Sequence, residues 1–121
     1  MEKREKGFQA EKAAAAHLKA QGLRIRQANF YCRAGEIDLI AIDRDELVFV
    51  EVRARRHGAL VDGAASISGR KKQRLIRAAR FFLHRHGLDD CFCRFDVVAV
   101  SIAANGQQHF QWIRNAFDAT T

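Results

Sequence analysis

The sequence predicts one α/β domain with a mixed central β-sheet flanked by α-helices. Residues 35–42 and 47–55 are short, apolar and rich in Val, Ile and Phe, and the charged turn between them is typical of a β-hairpin. Residues 4–21 and 70–86 show helical spacing of apolar side chains, and each segment is followed by a glycine. Asn105-Gly106, a strong short hairpin signal, separates two further strand-like segments.

Composition limits both the domain count and the class of partner. The 121 residues are 48% hydrophobic and contain no proline and no low-complexity linker, so we expect residues 1–121 to form a single domain. Lys and Arg number 21 against 14 Asp and Glu, a net charge of +7 that favours a polyanionic partner, with DNA the first candidate. No apolar segment is long enough to cross a bilayer and the N-terminus lacks a signal-peptide core, so we expect a cytoplasmic protein without a membrane partner.

The first helix carries a carboxylate at the edge of its apolar face. Phe8, Glu11, Ala15 and Leu18 follow the three-and-four spacing of one helical face. Glu11 either points inward, toward the acidic residues of the hairpin, or flanks the apolar stripe and reaches solvent. The run of alanines from 13 to 16 leaves the face ill-defined, so both interpretations stay open.

Residues 23–31 alternate apolar with polar side chains, which predicts an edge strand that pairs with the hairpin. The turn after this strand contains Arg33, which is close enough in sequence to meet a phosphate beside the hairpin's carboxylates. The alternative interpretation of Arg33 is a solvated turn residue.

The hairpin register follows if its loop has two or four residues. The same count then sets three pairs opposite each other: Ile42 with Leu47, Asp38 with Glu51, and Glu36 with Arg53. Directly opposed side chains have Cβ atoms roughly 5 Å apart, and like charges at that distance are destabilising. A bound Mg²⁺ or Mn²⁺ would explain why Asp38 and Glu51 are tolerated there. The alternative is a solvated ladder of ion pairs, and an odd loop length would separate the two carboxylates.

Residues 55–69 contain three glycines and no clear periodicity, which predicts a long loop. The loop begins with Arg55 and Arg56, beside the proposed carboxylate pair, so we interpret it as a flap that a substrate would order.

The second helix has one apolar and one basic face. Ser68 is a plausible N-cap, and the buried stripe is predicted to contain Leu75, Ile76, Ala79, Phe82 and Leu83. The opposite face carries Arg70, Lys71, Arg74 and Arg77. Like charges four residues apart weaken a helix, so a phosphate-binding face explains these residues better than stability does. Simple solubility is the alternative.

The motifs resemble those of a bacterial family, the YraN-like proteins, across nearly the whole chain. The matching segments are residues 10–11, 33–40 (RAGEIDLI), 48–53 (VFVEVR), 72–75 (KQRL) and 94–98 (RFDVV). That family in turn looks like the archaeal Holliday-junction resolvases of the PD-(D/E)xK nuclease superfamily. The resemblance therefore implies a restriction-endonuclease-like core.

The resemblance also implies roles for particular residues. Asp38 and Glu51 would bind catalytic Mg²⁺ or Mn²⁺, and Glu11 would complete the acidic cluster. Arg53 stands where the superfamily has a lysine. Because an arginine stays protonated, it cannot act as a general base, and the metal would have to activate the water. Arg53 would instead orient that water or stabilise charge on the phosphate.

The sequence therefore predicts a metal-dependent endonuclease acting on DNA, with branched, junction-like structures as candidate substrates. In this hypothesis the phosphate backbone is held by Arg33, Arg55, Arg56, Arg70, Lys71, Arg74 and Arg77. The chief alternative is a non-catalytic nucleic-acid-binding protein in which Arg53 replaces the metal's charge. A third is an interaction protein that forms a homodimer through its hydrophobic edge strand.

Overall fold

The structure, a computed structural model, describes residues 3–55 and 67–119, with the side chains of residues 3–7 excepted. It contains two helices, α1 (Lys3–Ala20) and α2 (Gly69–Arg85). The five strands are β1 (Arg24–Cys32), β2 (Gly35–Asp43), β3 (Glu46–Ala54), β4 (Cys93–Ile102) and β5 (Gln108–Phe117). The predicted α/β class and both predicted helices are confirmed, with ends that differ by one or two residues.

The strands form one mixed sheet in the order β1-β2-β3-β4-β5. β3 and β4 are parallel and are connected by a segment that includes α2, whereas the other three pairs are antiparallel. A parallel pair needs a crossover of this kind, because a tight turn can only reverse the chain direction. The edge strand predicted for residues 23–31 is confirmed as β1, and β5 lies at the opposite edge. A homodimer through an edge strand stays a prediction.

The helices cover opposite faces of the sheet. Successive residues of β3 alternate between two apolar clusters, with Phe49 in the cluster that contains α2 residues and Val50 in the cluster that contains α1 residues. This alternation is what period-two side-chain geometry requires of a strand buried on both sides. The sheet is therefore the middle layer of three.

The predicted hairpin register is confirmed along the paired part of β2 and β3. Ile42 pairs with Leu47, and Asp43 with Glu46, so the loop has two residues. Arg44 within it has φ of 60°, as tight hairpin turns of this length require. The register fixes which side chains emerge at the other end of the two strands.

The predicted buried face of α1 is wrong at Phe8. This ring is exposed, and the residues that pack on the sheet are Ala10, Ala13, Ala14 and Leu18. Small alanine side chains let the helix approach the sheet closely, so the apolar face is set by tertiary packing rather than by the largest residue. Glu11 is half-buried at the border of this face.

The second helix matches its prediction. The backbone N–H of Lys71 donates to Ser68 Oγ at 3.1 Å, so Ser68 is the N-cap. All five residues of the predicted buried stripe are buried, and Gly87 follows the helix with φ of 66°. The proposed flap and Arg56 lie outside the described residues, apart from the ends of that segment. Neither helix, within the described ranges, is long and apolar enough to span a membrane.

Candidate functional site

The open end of the hairpin is where β2 and β3 stop pairing. The last pair of the ladder is Leu39 with Val50, one step before the expected Asp38–Glu51 pair. The backbone N–H of Val52 instead donates to Asp38 Oδ2 at 2.8 Å. The acceptor of this Val52 hydrogen bond is a side-chain carboxylate rather than a backbone carbonyl, and the bond holds Asp38 at the open end of the hairpin.

On the other side of β2, the backbone of β1 is irregular at the matching position. Asn29 lies between the pairs Ala28–Leu39 and Phe30–Ile37, and it has φ of 55°. Asn tolerates this left-handed conformation better than most residues. Its side chain hydrogen-bonds to Glu11. The distortion of β1 therefore helps to orient a carboxylate from α1.

The carboxyl groups of Glu11 and Asp38 are close enough for each to shift the pKa of the other. Burial, and next the negative charge of Asp38, raise the pKa of Glu11 to about 7. Burial also raises the pKa of Asp38, and the hydrogen bond from the Val52 N–H partly offsets this by lowering it. Glu11 therefore points toward the acidic residues of the hairpin, with its Oε2 atom buried. Its role as a metal ligand stays a prediction.

Glu51 is the most buried of the three carboxylates, with 5% of its surface exposed. Burial, and next the charge of Asp38, raise its pKa to about 7, while the charges of Lys71 and Arg53 oppose this shift. Its Oε2 atom, like Oε2 of Glu11, is buried with no hydrogen-bond partner among the described residues. Such orphaned acceptors are costly and call for an explanation.

Lys71 forms an ion pair with this cluster. Its Nζ lies 3.6 Å from Glu51 Oε1, an ion pair longer than a hydrogen bond. The N-cap at Ser68 sets Lys71 in the first turn of α2, and the helix lies across the sheet face on which Glu51 emerges. The sequence assigned Lys71 to phosphate binding, whereas here it also contacts an acidic residue.

The donor set of the cluster fits a hard divalent cation. Mg²⁺ and Mn²⁺ prefer carboxylate oxygens, and Mg²⁺ commonly takes one or two carboxylates together with water and phosphate. Asp38 and Glu51, supported by Glu11, supply such oxygens, and two of these oxygens have no other partner. Within residues 3–55 and 67–119, no group of three or more Asp, Glu, His or Cys side chains is arranged to hold a metal ion. A metal site formed by Asp38 and Glu51 with Glu11 therefore stays a prediction.

The predicted phosphate-binding residues divide into groups. Arg70, Arg74 and Arg77 are exposed on α2, and Arg33 is exposed in the β1–β2 turn. That turn contacts α2, because a Cβ added to Gly35 would lie 3.5 Å from Cβ of Arg74. These four arginines and Lys71 therefore border a common surface.

Two other predicted cations have different surroundings. Arg53 is half-buried, and its positive charge acts to lower the pKa of Glu51. Arg55 donates from Nη1 to Oε1 of Gln111 on β5 at 2.9 Å. The structure thus brings Arg53 to the acidic cluster and ties Arg55 to the opposite edge strand.

Sequence reasoning missed Asn29 and the position of Lys71. A signal for Asn29 exists, because Asn is depleted in strands and marks positions with positive φ. No local signal could have assigned Lys71 to Glu51, because the 19 intervening residues include a crossover whose geometry only the fold determines.

Comparison with known proteins assigns the chain to a family. Residues 10–100 match the model of the uncharacterised protein family UPF0102. A UPF0102 protein of Marinobacter nauticus is 48% identical over 96% of this chain and 94% of its own length. UPF0102 proteins of Nitrosococcus oceani and Pseudomonas aeruginosa are 49% and 50% identical, over 94% and 96% of this chain and 92% and 94% of their own lengths. The predicted YraN-like membership is therefore confirmed, and the chain belongs to family UPF0102.

Proposed function

We propose that the protein is a metal-dependent endonuclease that hydrolyses phosphodiester bonds in DNA, with branched DNA as the candidate substrate. The observation that carries this proposal is the buried cluster of Glu11, Asp38 and Glu51, in which two carboxylate oxygens have no partner among the described residues. An acidic cluster of this kind, bordered by exposed arginines, suits a cation and a phosphate together. The order of helices and strands and the resemblance of the motifs to PD-(D/E)xK nucleases support the same assignment.

Each side chain has a role in this mechanism. Asp38 and Glu51 would hold Mg²⁺ or Mn²⁺, and Glu11 would complete the acidic cluster beside Asp38. When bound, the ion would act as a Lewis acid on the phosphate and lower the pKa of a nearby water. Its positive charge would also lower the raised pKa of Glu11, so Glu11 would lose its proton when the site is filled.

Lys71 is a second candidate for the lysine that the nuclease pattern has at the position of Arg53. Its ammonium group already lies 3.6 Å from Glu51, and a lysine, unlike an arginine, can release a proton. Lys71 would orient the attacking water or neutralise charge on the phosphate, and Arg53 would contribute a fixed positive charge beside Glu51.

Cleavage of labelled four-way junction, flap, duplex and single-stranded DNA with Mn²⁺ or Mg²⁺ tests the proposal. We expect metal-dependent cleavage that Asp38→Asn and Glu51→Gln each reduce at least about 100-fold, because metal stabilisation of a transition state is worth several kcal/mol. Asp45→Asn is the matched control, since Asp45 is an exposed carboxylate in the turn of the same hairpin. Equal activity of Asp38→Asn and Asp45→Asn would refute the assigned site.

A non-catalytic nucleic-acid-binding protein is the second candidate. The observation in its favour is that Lys71 and Arg53 already oppose the charge of Glu51. In this case titration calorimetry with Mn²⁺ should give no heat of binding, and Asp38→Asn should leave DNA affinity unchanged or improved. Under the nuclease proposal, the wild type binds Mn²⁺ and Asp38→Asn does not.

A further inference from the structure

One face of α2 carries a stripe of side chains that starts at the acidic cluster. The stripe consists of Lys71, Arg74, Arg77, Phe81 and Arg85. These residues are three or four positions apart, so they lie one above another on the helix surface. At 1.5 Å per residue the stripe is about 21 Å long, the length of roughly six stacked nucleotides. Its Lys71 end contacts Glu51.

Grooves separate this stripe from the β1–β2 turn. One groove, of about 600 Å³, is lined by Arg33, Ala34, Arg77 and Phe81. A neighbouring groove of about 340 Å³ lies nearer the acidic cluster, and its lining includes Tyr31, Glu36, Lys71 and Arg74. Since Arg74 and Arg77 are one helical turn apart, the two grooves follow one another along α2. We call this surface the α2 track.

Two aromatic rings are exposed in the α2 track. Phe81 is 47% exposed and Tyr31 is 65% exposed. Phe81 is supported from the protein side by Phe30, with ring centroids 6.2 Å apart. A ring that is held by the core while the rest of it faces an open groove offers a surface on which a flat ligand can stack.

The arginines of the α2 track differ from Lys71, which forms an ion pair with Glu51. Within the described parts of the chain, Arg33, Arg74, Arg77 and Arg85 form no ion pair, whereas Arg94 elsewhere forms three. Unpaired arginines that alternate with exposed aromatic rings are typical of surfaces that bind single-stranded nucleic acid. On such surfaces the arginines bind the phosphates, and the unpaired bases stack on the aromatic rings.

We propose that the α2 track holds a single-stranded segment of a tailed or branched DNA, with bases stacked on Phe81 and Tyr31 and phosphates bound by the arginines. A duplex would use the arginines but not the rings, because its bases already stack on one another. The inference builds on the proposed nuclease function, since the Lys71 end of the track would deliver the strand to the acidic cluster. It specifies the substrate as DNA with an unpaired strand beside the cleaved bond.

Binding measured without divalent cations tests the track separately from cleavage. The probes are a fluorescent blunt hairpin duplex and the same duplex with a tail of about ten thymidines, followed by anisotropy. We expect the wild type to prefer the tailed DNA by at least about 5-fold, the lower end of the range for one stacked base. Phe81→Leu should lose most of this preference while binding the blunt duplex as before.

Phe92→Leu is the matched control, because Phe92 is 77% exposed and lies outside the track. It should keep the full preference. Tyr31→Ser supplies an independent variant on the edge strand in case Phe81→Leu disturbs packing against Phe30. Arg77→Ala should weaken both DNAs and reduce the slope of log affinity against log salt by about 1, whereas Arg44→Ala in the hairpin turn should not.

Equal binding of tailed and blunt DNA by the wild type would contradict the proposed role of the α2 track. An unchanged preference for tailed DNA in folded Phe81→Leu and Tyr31→Ser would contradict it as well. Metal-dependent cleavage that requires Asp38 would survive either result, so the two proposals can fail independently. No DNA binding at all would overturn both.

Discussion

Three carboxylates gather on Arg94 near the turn of the β2–β3 hairpin and three more at its open end, and only those near the turn all have hydrogen-bond partners. At the turn, Arg94 of β4 binds Asp43 and Glu46 at 2.9 Å each and Asp96 at 3.0 Å. Asp96 also accepts hydrogen bonds from the indole N–H of Trp112 and the backbone N–H of Asn115, both at 2.9 Å. Asp43, Glu46 and Asp96 thus each have a close partner.

At the open end, Lys71 lies 3.6 Å from Glu51, and oxygens of Glu11 and Glu51 have no partner among the described residues. The pKa values differ accordingly. Burial raises those of Glu11 and Glu51 to about 7. At the turn, burial acts to lower the pKa of Arg94, but hydrogen bonds to Asp96 and Asp43 raise it above its ordinary value. The turn cluster therefore contributes to stability, whereas cation binding by the open cluster stays a prediction.

The largest effect should come from breaking the turn cluster. Arg94→Leu would leave Asp96, which is 0% exposed, without its cation. Removing one partner of a buried ion pair typically costs about 3–5 kcal/mol, so we expect a loss of that order in the free energy of unfolding, measured by urea denaturation. Arg94→Lys, which keeps the charge but not the planar fork, should lose less. A loss below about 1 kcal/mol for Arg94→Leu would show that the turn cluster is not structural.

A smaller effect should come from titrating the open cluster. The folded protein holds protons on Glu11 and Glu51 up to about pH 7, whereas the unfolded chain releases them near the ordinary value of 4.5. The folded state therefore binds more protons between these values, and the free energy of unfolding should fall as pH rises from about 4.5 to about 7. Solvent screens the shift of the half-buried Glu11, and both shifts depend partly on the same charge of Asp38, so we expect a decline on the order of 3 kcal/mol rather than the sum of two full shifts.

Glu51→Gln should remove much of this decline and stabilise the protein at pH 8, because it deletes a buried charge beside Asp38. Asp45→Asn, the exposed control, should behave as the wild type. Saturating Mn²⁺ should also flatten the profile, since it would take the place of the protons. A profile in which Glu51→Gln matches the wild type would contradict the assigned cause.

The smallest effect should come from Lys71. Because the charge of Lys71 lowers the pKa of Glu51, Lys71→Met should move that pKa above about 7, which carbon NMR of the labelled carboxyl group would measure. The stability change should stay below about 1 kcal/mol, as for other partly exposed ion pairs. Arg70→Met is the control in the same helical turn. An equal shift in both variants would mean that net charge, not the contact, sets the pKa.

Sequence patterns predicted the elements well where the information is local. The hairpin register followed from the two-residue loop, and the buried stripe of α2 followed from helical periodicity. The pattern failed at Phe8, because in an alanine-rich helix the buried face depends on what the helix packs against.

Part of the candidate site was equally predictable. Asp38 and Glu51 were expected to be neighbours from the register, and the resemblance of motifs added Glu11. The hydrogen bond from Val52 to Asp38 was not predictable, because it depends on β2 and β3 separating one residue before the expected pair. Lys71 was assigned to phosphate binding because of the helical face it lies on. Its ion pair with Glu51 was not predictable, because it depends on where the crossover places α2 on the sheet.

The sequence by itself determined the α/β class, the helix and strand positions, the register of the hairpin and the presence of carboxylates at both of its ends. Hydrophobic periodicity and turn chemistry act over a few residues, so they can be read along the chain. Only the tertiary structure decided in which of the two clusters every carboxylate has a hydrogen-bond partner. That outcome depends on Arg94, Lys71, Glu11 and Asn29, which are distant from the hairpin in the chain or belong to other elements. Packing of the helices and strands brings them together, and no local pattern encodes those distances.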